Sequence, residues 1–167
     1  MIRTTSGLTA LSLASGLACM LATSANAQLV SNKDLSLPMA VTMAQTAIQT
    51  CASQGFRVSA NVVGRNGEVI VAMRGDDTGP HTLENSMKKA YTARAQRRSS
   101  GEFAQSVKDN FTAGALRLTN IVAAQGALPI KVGEDTIGAI GVSGAPGGDK
   151  DEACAKAGID KVSADLK

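Results

Sequence analysis

His81 is the only histidine in the chain. It ends the run Gly75-Asp76-Asp77-Thr78-Gly79-Pro80-His81, a turn-forming stretch between an apolar segment and a helical pattern. Loops held at the edges of rigid elements carry much of binding chemistry. Imidazole is a frequent ligand of metals and haem iron, and near neutral pH it also serves as acid or base. His81 is therefore the candidate metal ligand. The alternative is a histidine that caps the next helix or packs beneath the turn. Asp76 and Asp77 could join it in a hydrolase, but no serine stands in a GxSxG pattern. A zinc site needs three protein ligands, and His81, Asp76 and Asp77 are an unspecific set. The Gly144-Ala145-Pro146-Gly147-Gly148 loop precedes a helix start that could meet an anion. It lacks both phosphate-loop patterns, and acidic residues follow it, so it reads as a rigid turn.

Residues 1–27 read as a signal peptide and 28–167 as a single domain. Arg3 precedes an apolar run from about Leu8 to Leu21, and Ala25-Asn26-Ala27 offers a small-x-small cleavage site. Lipidation at Cys19 is disfavoured by Gly16, where leucine is usual. The apolar run is too short for a stable membrane anchor. The net charge is +3. The basic cluster Lys88, Lys89, Arg94, Arg97 and Arg98 has Tyr91 as its only aromatic, which reads as a solvated helix face without nucleic acid. Export permits a disulfide between Cys51 and Cys154; two small buried residues that never meet are the other reading.

Several elements must position these groups. Ser36 can cap a helix running through Cys51 to a C-terminal Gly55. Phe56 to Val62 alternates apolar and polar residues, as a half-buried strand does. Asn66-Gly67 turns it back along Glu68 to Met73. A second helix spans about Leu83 to Arg98, with Thr82 as cap and Leu83, Met87, Ala90, Tyr91 and Ala95 as a narrow apolar stripe. A third helical segment starts at Ser99 or Ser100 and reaches about Lys108; a fourth runs from about Ala115 to Ala124. Leu128 to Val132, where Pro129 marks an edge strand or a strand's first residues, and Thr136 to Ser143 form a second hairpin. A last helix runs from about Asp149 to Ala157 and ends at Gly158. This order suggests an α+β or α/β sandwich, an antiparallel sheet with helices on one or both faces.

The segments Val62-Val63 to Asn66-Gly67, Met73-Arg74, Asp76 to His81 and Lys89-Ala90-Tyr91-Thr92-Ala93 carry a resemblance. So do Gly126-Ala127-Leu128-Pro129-Ile130, the run Gly138 to Gly144, Asp149, Cys154-Ala155 and Ala157-Gly158. Together they resemble the haem-degrading or haem-binding family (GlcG/HbpS-like) that includes glycolate-operon accessory proteins and the C-terminal part of a corrinoid-utilisation protein. The resemblance covers nearly all of residues 28–167. It implies a profilin-like α/β sandwich with about five antiparallel strands, assembly into dimers or larger homo-oligomers, and haem as cofactor. Gly64 stands where many relatives carry an acid, and Glu134-Asp135 where Asp-Gly is common.

The expectation is an exported haem-binding protein, periplasmic or secreted, handling haem or iron without efficient catalysis of its own. His81 is the expected iron ligand, with Met73 and Tyr91 in reserve. Val69, Val71, Met73 and Leu83 would supply apolar walls, and Lys88, Lys89 or Arg94 would meet the propionates. The alternative is a small enzyme or sensor for a short organic acid, such as a 2-hydroxy acid. Arg74 and Lys89 would then clamp the carboxylate while His81 acts as acid or base. A compact polar pocket would favour that alternative over an open apolar groove.

Overall fold

Helix α1 (Leu37–Ser53) begins where the sequence signals it. The Ser36 hydroxyl accepts from the Met39 N–H, and Pro38 sits in the first turn. Gly55 follows the helix end with φ +80°, the left-handed geometry that glycine adopts without strain. The computed structural model describes residues 28–110 and 113–167; the expected signal peptide, 1–27, lies outside the described residues. Strands β1 (Ser59–Val63) and β2 (Val69–Arg74) form the first hairpin, with Gly67 at φ +82° in its turn. Helices α2 (Thr82–Gln96) and α3 (Ser100–Ser106) follow, then strands β3 (Ala127–Val132) and β4 (Asp135–Ser143), and helix α4 (Gly148–Val162).

The sheet is antiparallel throughout, in the order β2-β1-β4-β3. The fold is α+β, with helices on both faces. The described residues hold four strands, one fewer than the resemblance implied, because each turn signal closes one hairpin. Pro129 lies on the edge strand β3, where its missing N–H costs no ladder bond.

Helices α1 and α4 cover one face. Met43, Ala44 and Ala47 pack there with Val62, Ile140 and Val142. Cys51 and Cys154 form a disulfide between these two helices, with their Cα atoms 5.7 Å apart. Gly158 does not end α4. A Cβ there would fall 2.5 Å from the Met43 carbonyl oxygen, so this glycine permits the close crossing of α1 and α4.

Helix α2 covers the other face, and here the alternation in β1 was misleading. All five β1 residues are buried, so the strand is not half-buried. Its polar face meets a polar helix face: Asn61 Nδ2 donates to the Leu83 carbonyl and to Ser86 Oγ, and Ser59 and Thr82 share a 2.8 Å hydroxyl bond. Of the expected apolar stripe on α2 only Ala90 is buried, beside Thr82, Ser86, Lys89, Thr92 and Ala93. Gly141 in β4 brings the layers together. A Cβ at Gly141 would lie 2.2 Å from the Ser86 carbonyl oxygen.

Ser99 and Glu102 form a capping box that starts α3. The expected fourth helix is reduced to one 3-10 turn, Gly114–Arg117, none of whose residues is buried. Beyond it the chain is held instead by α2, where Thr92 Oγ1 accepts from the Val122 N–H.

Candidate functional site

Three connections meet at one end of the sheet: the approach to β1, the β2–α2 loop, and the β4–α4 loop. They enclose an open cleft of about 450 Å³, within the size range of small-molecule sites. His81 and Arg57 stand on its rim, Asn85 and Ser143 lie deeper, and Lys89 and Asp151 contribute to its lining.

The β2–α2 loop is rigid for local reasons. Arg74 donates from Nε to Thr78 Oγ1 and from Nη2 to the Thr78 carbonyl, while Thr78 Oγ1 donates to the Gly75 carbonyl. Asp77 adopts a left-handed φ of 56°. Its carboxylate pairs with Arg57 at 3.1 Å, both groups largely exposed. Thr82 donates to the Gly79 carbonyl from the first turn of α2 rather than from the cap position. The cap residue is His81, whose side chain makes no capping hydrogen bond. The imidazole is exposed and lies over Gly79, where a Cβ would come within 2.9 Å of its Cε1.

Beneath the rim lies an ion pair that no linear pattern announced. Lys89 is 4% exposed and Asp151 3%. Lys89 Nζ donates to Asp151 Oδ2 at 2.8 Å and to the Val142 carbonyl at 3.1 Å. Asp151 Oδ1 accepts from the Ala145 N–H, which fixes the β4–α4 loop. Burial pushes the Asp151 carboxyl up, and Lys89 and the Ala145 N–H pull it back. Gly126 makes room for the pair: a Cβ there would sit 2.7 Å from Lys89 Nζ. Lys89 is thus no part of a solvated helix face, and its position holds α2, β4 and α4 together.

The five residues singled out by sequence fall in three places. His81 and Lys89 share the cleft. Tyr91 and Arg94 line a separate hollow of about 120 Å³, where the Tyr91 ring rests on Gly67. Arg94 Nε is buried there without a hydrogen-bond partner among the described residues. Burial and the neighbouring Arg97 and Arg65 lower its pKa. Met73 packs into the core beneath α1. The proposed apolar walls do not gather around His81, since Val71 and Met73 belong to that core and Val69 is exposed. Among the described residues no three His, Cys, Asp or Glu side chains could hold a metal ion together. No linear pattern groups Arg57, Asn85, Ser143 and Asp151, because each reaches the cleft from a different element.

A family profile described as haem-degrading protein HbpS-like matches residues 35–160. The chain belongs to the HbpS-like family. A crystal structure of HbpS superposes with a TM-score of 0.76 and 32% identity, over 81% of this chain and 94% of that one. An HbpS double mutant from Streptomyces reticuli gives a TM-score of 0.76 at 29% identity, over 93% and 99% of the two chains. An uncharacterised 15.0 kDa protein of the dhaT–dhaS intergenic region of Citrobacter freundii is 33% identical over 113 residues, 66% of this chain and 80% of that protein. The HbpS-like likeness thus spans both hairpins, the cleft and the helix pair joined by the disulfide.

The residues of the cleft fit part of a haem. An exposed imidazole could meet the iron, and Arg57 could meet a propionate. The apolar lining within one copy is small, mainly Ala124, Ala145 and Pro146.

Proposed function

We propose that this protein is an exported haem-binding protein that handles haem or iron outside the cytoplasm without efficient turnover of its own. The observation that carries this reading is the lone histidine, exposed on a cleft beside a cationic side chain in an HbpS-like fold. The leader-like residues 1–27 and the buried disulfide support an oxidising compartment, periplasmic or extracellular. Among the described residues no helix is long and apolar enough to cross a membrane. A homo-oligomer, at least a dimer, would supply the apolar cover that one copy lacks.

Titration of the mature protein with haemin, followed at the Soret band, tests this. Saturable binding at micromolar protein is expected; no saturable change rejects it. With His81→Ala the Soret maximum should move and affinity should fall, while stability changes by less than about 0.5 kcal/mol, as is usual for a surface-loop substitution. Unaltered spectra with intact binding would move the ligand role to Tyr91 in its separate hollow or to a residue from a second subunit, since Met73 is packed into the core.

A second reading, an enzyme or sensor of a short organic acid, is favoured by the polar lining of the cleft. Arg74 is committed to Thr78, so the clamp expected from Arg74 and Lys89 would need other donors. A thermal-shift screen with haemin and two-carbon acids separates the two readings, because a ligand of the native state raises its apparent stability.

A further inference from the structure

We propose that the His81 cleft is a carboxylate-binding site, with Ser143 and Arg57 as its recognising donors. This rests on the cleft being the binding site, as both readings above require. Ser143 is 3% exposed and lies at the end of β4. Its Oγ accepts from Asn85 Nδ2 at 3.0 Å. With one lone pair so engaged the hydroxyl still has its proton to donate, and among the described residues none accepts it. Asn85 in turn fixes the hydroxyl, being anchored on α2 one turn beyond His81. Lys89 is placed alongside with two of its three N–H bonds committed, to Asp151 and to Val142. Arg57 stands at the rim, held among the described residues by an exposed pair with Asp77 that a ligand carboxylate can replace.

The charge balance selects the ligand class. Arg57 and Lys89 are offset by Asp77 and Asp151, and Asp149 stands at the start of α4. A dianionic phosphate would meet this acidic surround. A single carboxylate needs only hydrogen-bond donors and one cation, which Arg57 supplies by exchanging its exposed pair with Asp77 for the ligand. Such a carboxylate belongs either to a haem propionate or to a free short acid; the recognising chemistry is the same.

The test titrates isotope-labelled mature protein with sodium propionate, against sodium chloride at equal ionic strength, reading the amide resonances of Ser143, Gly144 and Ala145 and the Asn85 side-chain amide. Saturable shifts with propionate alone are expected, and apparent affinity should fall about tenfold in Ser143→Ala and in Arg57→Gln, the loss of one charge-assisted hydrogen bond. Arg57 is exposed, so its variant keeps the test decisive where Ser143→Ala perturbs folding. Shifts that match chloride, do not saturate, or persist in both variants overturn the proposal. Haemin and its dimethyl ester then identify the source. Weaker binding of the ester, with the difference abolished in Arg57→Gln, assigns the carboxylate to haem. Propionate binding without haemin binding leaves the site standing for a free acid and rejects the haem reading alone.

Discussion

The two faces of the sheet are built on opposite principles. Under α1 and α4 the contacts are aliphatic and a disulfide joins the helices. Under α2 they are hydroxyls, an amide, small side chains and a buried ion pair. The first face gains stability from area removed from water and tolerates exchange of one apolar side chain for another of similar volume. The second gains less per contact but fixes orientation, because each buried polar group must keep its partner. The cleft opens at the end of the second face. Binding donors there inherit fixed directions from the hydrogen bonds beneath them.

The sharpest separation of the faces comes from removing the cross-link. Cys51→Ala with Cys154→Ala should lower stability by about 4 kcal/mol, since the bridge closes a loop of roughly a hundred residues. Denaturant unfolding measures this, and haemin or propionate affinity should stay unchanged because the bridge lies under the other face. Next comes Lys89→Met, which leaves Asp151 buried without its partner and should cost about 3 kcal/mol. Here the cleft should suffer too, because Asp151, which anchors the Ala145 loop, loses the partner that holds it in place. The double variant Lys89→Met, Asp151→Leu should regain most of the stability; failure to do so would show that the pair does more than neutralise itself.

These contrasts explain what could be read from the sequence. Ser36, Gly55, Asn66-Gly67 and Pro129 act through local backbone geometry, so their roles as cap, stop, turn and edge marker were legible. The α1–α4 side was legible as well, because aliphatic periodicity reports burial. The α2 side was not. Ser59 and Asn61 look solvent-facing in a linear pattern, yet their partners lie on a helix more than twenty residues away. Lys89 and Asp151 are 62 positions apart, and each has a bland local explanation as a surface charge. Gly158 reads as a helix stop because sequence does not distinguish a terminating glycine from one crossed by a neighbouring helix. Of the cleft, His81 was visible by its uniqueness; Ser143, Asn85 and Arg57 were invisible because only the fold brings them together.

Smaller effects sharpen the comparison. Gly141→Ala should cost about 2 kcal/mol by overpacking, since backbone atoms of α2 stand where the methyl would go. A thermal melt checks it, and a neutral result would mean that α2 can lift from the sheet. The last effect concerns Glu152 on α4. Burial raises its pKa, Gln125 opposes this, and Glu102 adds to it. A carboxyl with a raised folded pKa contributes stability below its unfolded pKa and loses it as pH rises through the folded value. Glu152→Gln should therefore raise the melting temperature at pH 7 and give no gain at pH 4. Equal gains at both pH values would assign the effect to packing instead.

The strand order has a consequence for how the molecule comes into being. Ser59 pairs with Ser143 and Val63 with Ala139, so the centre of the sheet joins the first hairpin to the last. Helix α1, the first to be synthesised in this unit, packs against α4, the last. No N-terminal fragment can complete a core of its own, and the central pairing must await the final hairpin. Such non-local closure is slow, and it keeps the growing chain unfolded until synthesis is nearly complete. This wiring suits the export proposed above, because a chain whose C-terminal quarter is missing has no closed core to resist a translocation pore.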